Sequence, residues 1–376
     1  MLKIRDEKLI FVKDLKKEFS ISILFVLILS FSLAHALYVA AENTTSSIMT
    51  TINVGSSPES MAYDSGTGEL FVACYDSHSV LAISDESNAI VANISVENSA
   101  IPFGLAYDSG KGEIFVANTN SGTVSVISDS SYNLVATIPV GINPVGLAYD
   151  SSNDQIYVTN TNSSTVSVIS DNTNTVVKTI AVGGSPVGIA YDSAMGEVFV
   201  ANSYDNSVSV ISDSTNSVVA TIDVGYLPYG VVYDSGMSEV FVANLFSDSV
   251  SVISDKTNTV VATVKVKNLP YGLAYDSGVG EIFVGNNDAD IVSVVSDNTN
   301  EVISTIEGVG SPSGVAYDSI KGEIFIANED GAEVFVVSDG SQIVPEFSKE
   351  AFILLASALV AVTICSAVLT LKKLKK

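Results

Sequence analysis

The tripeptide Tyr-Asp-Ser returns seven times along this chain, with its tyrosine at positions 63, 107, 149, 191, 233, 275 and 317. The interval is 44 residues once and 42 residues thereafter. A fixed period of that length points to a repeat architecture before any other reading applies. Four short segments stand out within one period, Gly146 to Val182: Gly-Leu-Ala-Tyr-Asp, then Gln155–Asn160, Thr165–Ser170 and Val176–Val182. Each is β-branched or aromatic, alternates in polarity and is bounded by Gly, Asn, Asp or Ser, as antiparallel strands joined by hairpins are. Four such strands per repeat make a β-propeller blade. No 3.6-residue apolar stripe runs through the unit, so helical repeats of similar length are excluded.

The two ends of the repeat region predict how the array is finished. Thr51–Val54 matches the fourth-strand segments Thr137–Val140, Thr179–Val182 and Thr221–Val224, and it precedes the first copy. The last copy stops near Glu333–Ser338, without a fourth strand of its own. The N-terminal strand is therefore expected to complete the seventh blade and cover its open edge. The rival, an open β-solenoid, would need capping ends instead. The expected fold is all-β: a seven-bladed β-propeller over 48–340, closed by an N-terminal strand in the last blade.

The second strand of the third repeat reads Tyr157-Val-Thr-Asn160, with cognates at Phe115–Asn118, Phe199–Asn202 and Phe241–Asn244. Over roughly residues 50–340 the chain resembles the YVTN-repeat β-propeller family of archaeal surface-layer and other cell-surface proteins. That resemblance implies a propeller ectodomain and a surface location, and it implies no catalytic residues.

The flanks carry the same expectation independently. Residues 1–41 hold a basic start, an apolar run from Ile21 to Leu33 and Ala34-His35-Ala36. They read as a secretory signal peptide or, if uncleaved, an N-terminal apolar anchor. Residues 341–350 form a linker, and 351–371 are an uncharged apolar stretch long enough to span a bilayer as a transmembrane helix. The basic tail 372–376 should stay cytoplasmic, leaving the propeller single-pass anchored on the outer face of the membrane. Pro345-Glu346-Phe347 ahead of that stretch resembles the PEF-type C-terminal sorting signal of archaeal surface proteins, which implies processing by a sortase-like membrane enzyme.

Composition narrows the partners. The chain carries 42 acidic and 17 basic residues, a formal net charge of −25. Between the two flanks the basic residues are only Lys111, Lys178, Lys256, Lys265, Lys267 and Lys321. So acidic a body argues against nucleic acid or anionic lipid as a direct partner. Cys74 and Cys365 are the two cysteines, too few for a disulfide framework or a thiolate metal cluster. His78 is the one histidine beyond the N-terminal flank, and no nucleophile elbow, phosphate loop or dinucleotide fingerprint appears. The chain is expected not to be an enzyme, and to hold no cofactor and no metal.

A propeller's loops divide between two faces. The hairpins after the first and third strands are nearly constant between copies, and their aspartates (Asp108, Asp150, Asp192, Asp234, Asp276, Asp318) read as turn formers. The loops after the second strand and between blades vary, so that face is the candidate for recognition. There Tyr204, Tyr226, Tyr229, Phe246 and Tyr271 are candidate ligand-binding residues for a protein or glycan, unless some plug the central channel. Asp205, Asp248, Asp288 and Asp290 lie nearby, either as a solvated rim or as oxygen ligands for calcium. Asn43, Asn93 and Asn162 open glycosylation sequons. The expected function is a non-enzymatic surface recognition or adhesion module. A structural surface-layer component is the alternative, and an extracytoplasmic lyase or hydrolase a further one.

Overall fold

The computed structural model describes residues 47–96 and 100–339. The signal or anchor segment 1–41, Asn43, the Pro-Glu-Phe linker, the 351–371 stretch and the basic tail lie outside the described residues. Among those described, no helix is long and apolar enough to cross a membrane.

The described backbone forms seven four-stranded antiparallel sheets. In the third blade the strands run Pro144–Asp150, Gln155–Asn160, Thr165–Ser170 and Thr175–Ala181, in chain order. The seventh blade takes Pro312–Asp318, Glu323–Asn328 and Glu333–Ser338 from the C-terminal repeat and its outer strand from Ser47–Asn53. Thr51 lies opposite Phe335, and Ile52 opposite Val334. The first strands of successive blades pack side by side, the first blade against the seventh included. The wheel is closed, and the solenoid is ruled out.

Local chemistry explains the sheets. In the first hairpin of each blade the aspartate of Tyr-Asp-Ser accepts the backbone N–H two residues on: Gly110 N to Asp108 Oδ1 is 2.8 Å, and Gly236 N to Asp234 Oδ1 is 2.7 Å. In the third hairpin Asn174, Asn216, Asn258 and Asn300 take the left-handed conformation that asparagine tolerates. The turn reading of both motifs holds.

The core lies between blades. Tyr157, Val166, Val168 and Ile180 of the third blade, for example, pack against Ile189, Val198, Val200 and Ile211 of the fourth. Ile52, Phe325 and Val334 of the seventh blade pack on Leu70, Val72 and Ile83 of the first. Each sheet therefore buries both faces against its neighbours, which explains the near-continuous apolar runs of the second and third strands. The tyrosine of the motif adds a polar fastener. Tyr63 donates to Asp85 Oδ2 at 2.8 Å and lies near Asp318 across the closure, as Tyr107 lies near Asp64 of the preceding blade and Tyr275 near Asp234. Burial first, and then those carboxylates, push the phenol pKa values well above normal.

Candidate functional site

The channel mouth is built by one irregularity repeated in every blade. In each first strand the pairing shifts register directly after the opening proline. Such a β-bulge re-aims a side chain. The residue that follows the proline is Glu59, Phe103, Val145, Val187, Tyr229, Tyr271 and Ser313 in turn. These seven line a cavity of about 200 Å³ together with the residues next to them. The glycine after most of them is sterically required: a Cβ at Gly188 would lie 1.9 Å from the Tyr229 carbonyl oxygen, and one at Gly146 2.3 Å from that of Val187.

The ring is split in polarity. Val145, Val187 and Phe103 make an apolar half, and Tyr75 packs edge-on against Phe103 with ring centroids 6.2 Å apart. Opposite stand Tyr229 and Tyr271, with centroids 4.1 Å apart and hydroxyls 2.5 Å apart. Beyond them Ser313 donates to the Pro58 carbonyl at 2.6 Å, so its hydroxyl is satisfied. Glu59 is not. It is 8 % exposed, and its Oε2 has no hydrogen-bond partner. Burial, then the charges of Glu329 and Asp76, push its carboxyl up to about 8. Burial also raises both phenols, and Glu59 and Glu329 add to it.

Glu329 directly follows the second strand of the seventh blade, a place where most cognates carry small polar groups. Thr161 and Ser203 there donate to the next blade's proline carbonyl, Pro186 at 2.8 Å and Pro228 at 2.6 Å. Glu329 instead places a carboxylate near Glu59 and accepts from Asn287 Nδ2 at 3.3 Å. The mouth thus concentrates two carboxyls and two phenols on one side and aliphatic surface on the other.

The structure divides the five expected ligand-binding residues into two groups. Tyr229 and Tyr271 lie inside the mouth. Tyr226 and Phe246 stand outside it, 57 % and 59 % exposed, stacked with centroids 6.4 Å apart. Their loops are zipped by Phe246 N to the Tyr226 carbonyl, at 3.2 Å. Tyr204 projects alone, 79 % exposed. Leu227 and Leu269, before the prolines of the fifth and sixth blades, adopt positive φ. A bulky side chain in that region costs of order 1 kcal/mol and marks a functional candidate. The third and fourth blades place Asn143 and Ser185 there instead.

Other expected residues are accounted for locally. Asp205 Oδ2 accepts Gly184 N at 2.7 Å, and Asp248 and Asp290 accept Leu269 N and Gly310 N. These three staple loops rather than form a cage. His78 Nδ1 sits 3.1 Å from the Ala100 carbonyl. Asn93, on the outer strand of the first blade, and Asn162, in the turn Thr161–Ser163, are both exposed. Cys74 is fully buried, its thiol pushed up to about 11 chiefly by burial. It fills a slot where Asn118, Asn160 and Asn202 donate to serine hydroxyls at 2.9–3.0 Å. In the first blade Leu81 replaces that serine, so thiol and leucine form an apolar pair.

The sequence reading missed Glu59 and Glu329. The signal was present: among the seven residues that follow the first-strand proline, Glu59 alone is charged.

Comparison with known proteins agrees with this architecture. Residues 184–356 match the YNCE-like beta-propeller family, and residues 142–169 match the NHL repeat. No curated protein matches the chain in sequence. Among solved structures, the Kuenenia stuttgartiensis hydrazine synthase aligns with a TM-score of 0.67 at 17% identity, covering 75% of this chain and 95% of that one. At that identity the likeness shows the fold alone. Period, ring closure and both family matches lead to one conclusion: this chain is a seven-bladed β-propeller of a sequence-repeat family.

Proposed function

We propose that the protein is a non-catalytic recognition module that receives a basic side chain of a protein partner in its channel mouth. The observation that carries this reading is Glu59, a buried carboxyl with an unpartnered oxygen beside a second carboxylate. An unpaired buried acceptor costs free energy that a donor from a ligand recovers, most of all a charged donor. The tyrosine pair offers ring faces to the same cation. Val145, Val187 and Phe103 suit the methylene stem of a lysine or arginine. A net charge of −25 steers basic partners toward the molecule.

Display at the cell surface is part of the same proposal. It rests on the signal-like segment 1–41, the apolar 351–371 stretch with its basic tail, and the resemblance of the repeat to surface propellers. Pro345-Glu346-Phe347 is then the place where a sortase-like membrane enzyme acts, and Asn43, Asn93 and Asn162 are glycosylation candidates.

The test is anisotropy of a labelled lysine- and arginine-rich peptide against the wild-type chain, the Glu59→Gln/Glu329→Gln variant and a Glu301→Gln/Glu307→Gln control. Glu301 and Glu307 are exposed on an outer strand, so the control makes the same two substitutions far from the mouth. The mouth variant is expected to bind at least about tenfold more weakly, or 1.4 kcal/mol, while the control binds like wild type. Equal weakening in both would reduce the effect to net charge and sink the proposal. Glycan binding that survives Glu59→Gln/Glu329→Gln and disappears with Tyr226→Ala would move recognition to the outer rim.

A further inference from the structure

The face opposite the mouth carries a repeated carboxylate pair at each junction between blades. One member is the aspartate of Tyr-Asp-Ser; the other is the aspartate after the third strand of the next blade. The turn uses Oδ1 of the first. Its second oxygen is left for other donors, and the next blade's tyrosine lies near the same aspartate.

Four junctions hold a built-in donor, the simplest being Thr67, whose hydroxyl donates to Asp64 Oδ2 at 2.7 Å. Lys111 places its ammonium on the Asp171 carbonyl and 3.6 Å from Asp171 Oδ1, in the junction shared with Asp108. Lys321 does the same with the Asp85 carbonyl and, at 3.4 Å, Asp85 Oδ1. Asn153 Nδ2 bridges Asp150 Oδ2 at 3.0 Å and Asp213 Oδ2 at 3.1 Å. All four donors stand third after the motif aspartate.

In the fourth and fifth blades that position holds Met195 and Met237, whose side chains are 51% and 43% exposed and bring no charge. At the first of these junctions Asp192 is fully buried and Asp255 is 2% exposed. Asp192 Oδ2 and Asp255 Oδ1 lack a hydrogen-bond partner, as Asp108 Oδ2 and Asp171 Oδ1 do, but here no lysine ammonium stands against them as Lys111 does there. The two carboxyls are close enough that the charge of Asp192, after burial, raises the pKa of Asp255. The hydroxyl of Tyr233 lies beside both. The one basic neighbour, Lys256, follows Asp255 on the exposed surface and forms no ion pair among those described. At the second junction Asp234 is fully buried with Oδ2 unpartnered, and Asp297 feels its charge.

We propose that the Asp192–Asp255 and Asp234–Asp297 junctions bind a hard divalent cation in the place that a lysine ammonium fills at two other junctions. Two carboxylate oxygens and the carbonyl of the second aspartate are the protein ligands, and water completes the shell. Oxygen-only coordination suits calcium. With two carboxylates per site the affinity belongs to the weak extracellular class, on the order of 10⁻³ M. Among the described residues no three His, Cys, Asp or Glu side chains converge as a metal-holding group, so carbonyl and water oxygens must supply the rest of each shell.

The test is the melting temperature of the full chain in EDTA and in about 10 mM calcium, with sodium chloride added to equal ionic strength. Two such sites should raise the wild-type melting temperature by about 3–5 °C. Met195→Lys/Met237→Lys should melt higher than wild type in EDTA and gain less than half as much from calcium. A Val219→Lys/Val261→Lys control adds the same charge on exposed outer strands and should keep the full gain. Should the lysine variant not fold, Asp255→Asn/Asp297→Asn gives the same readout, with the calcium gain reduced. A wild-type melting temperature that calcium leaves flat, as for carboxyls that only share a proton, overturns the proposal. So does a calcium gain unchanged in the mutated junctions. Neither outcome touches the channel-mouth reading, which concerns the other face.

Discussion

At the scale of single residues, the feature with the largest consequence is Glu59. Its folded pKa of about 8 lies above the ordinary carboxylate value of 4.5 because burial and Glu329 oppose the charge. The folded state therefore holds the proton more tightly than the unfolded state. The associated stability is fully present below about pH 4.5 and is lost as pH rises through about 8. A shift of this size corresponds to roughly 3–5 kcal/mol at full ionisation. Glu59→Gln keeps the shape and removes the charge, so its unfolding free energy should fall less than that of wild type between pH 5 and pH 9. Denaturant titrations at both pH values check this. Parallel losses in the two proteins would mean that Glu59 is solvated and ordinary. The same ionisation bears on recognition, because a bound cation favours the carboxylate.

At the scale of elements, the bulged first strand positions the site. Gly188→Ala should cost more than about 3 kcal/mol, because its Cβ meets the Tyr229 carbonyl and must push the fourth and fifth blades apart. Ser60 occupies the matching place in the first blade and already carries a Cβ, so Ser60→Gly should cost under about 1 kcal/mol. Chemical denaturation of the two variants reads the contrast, and similar costs would mean that the inner strands yield easily. The strands themselves were legible in the sequence, since period-two alternation and turn residues are local signals. Ring closure was legible too, because Thr51–Val54 repeats a fourth-strand pattern that the last copy lacks. The direction of the residue after each proline was not, because a bulge breaks the alternation from which direction is read. That is why Tyr229 and Tyr271 were grouped with Tyr226 and Phe246, which face outward, and why Glu59 went unremarked. The Tyr-Asp-Ser aspartates were recognised as turn formers from their type alone. Their second oxygen, facing a different blade, is a long-range fact that no local pattern carries.

At the scale of the whole molecule, the two faces of the wheel have distinct chemistry. One is a ring of near-identical hairpins in which Asp129, Asp255, Asp297 and Glu281 are raised by burial and then by neighbouring carboxylates, Glu281 to about 7. Lys111–Asp171 and Lys321–Asp85 form ion pairs on it. The other face is irregular, with Glu59, Tyr229 and Tyr271 around the axis and Tyr204, Tyr226 and Phe246 exposed outside it. A repetitive body with irregular loops gathered on one face is the arrangement on which the proposed recognition of a partner rests. The most direct measurement is a crystal structure of the chain with the basic peptide bound. The account predicts a lysine ammonium or arginine guanidinium within hydrogen-bonding distance of Glu59 and Glu329, lying against Tyr271. A peptide seated on the Tyr226–Phe246 rim or on the hairpin face, with Glu59 untouched, would contradict it.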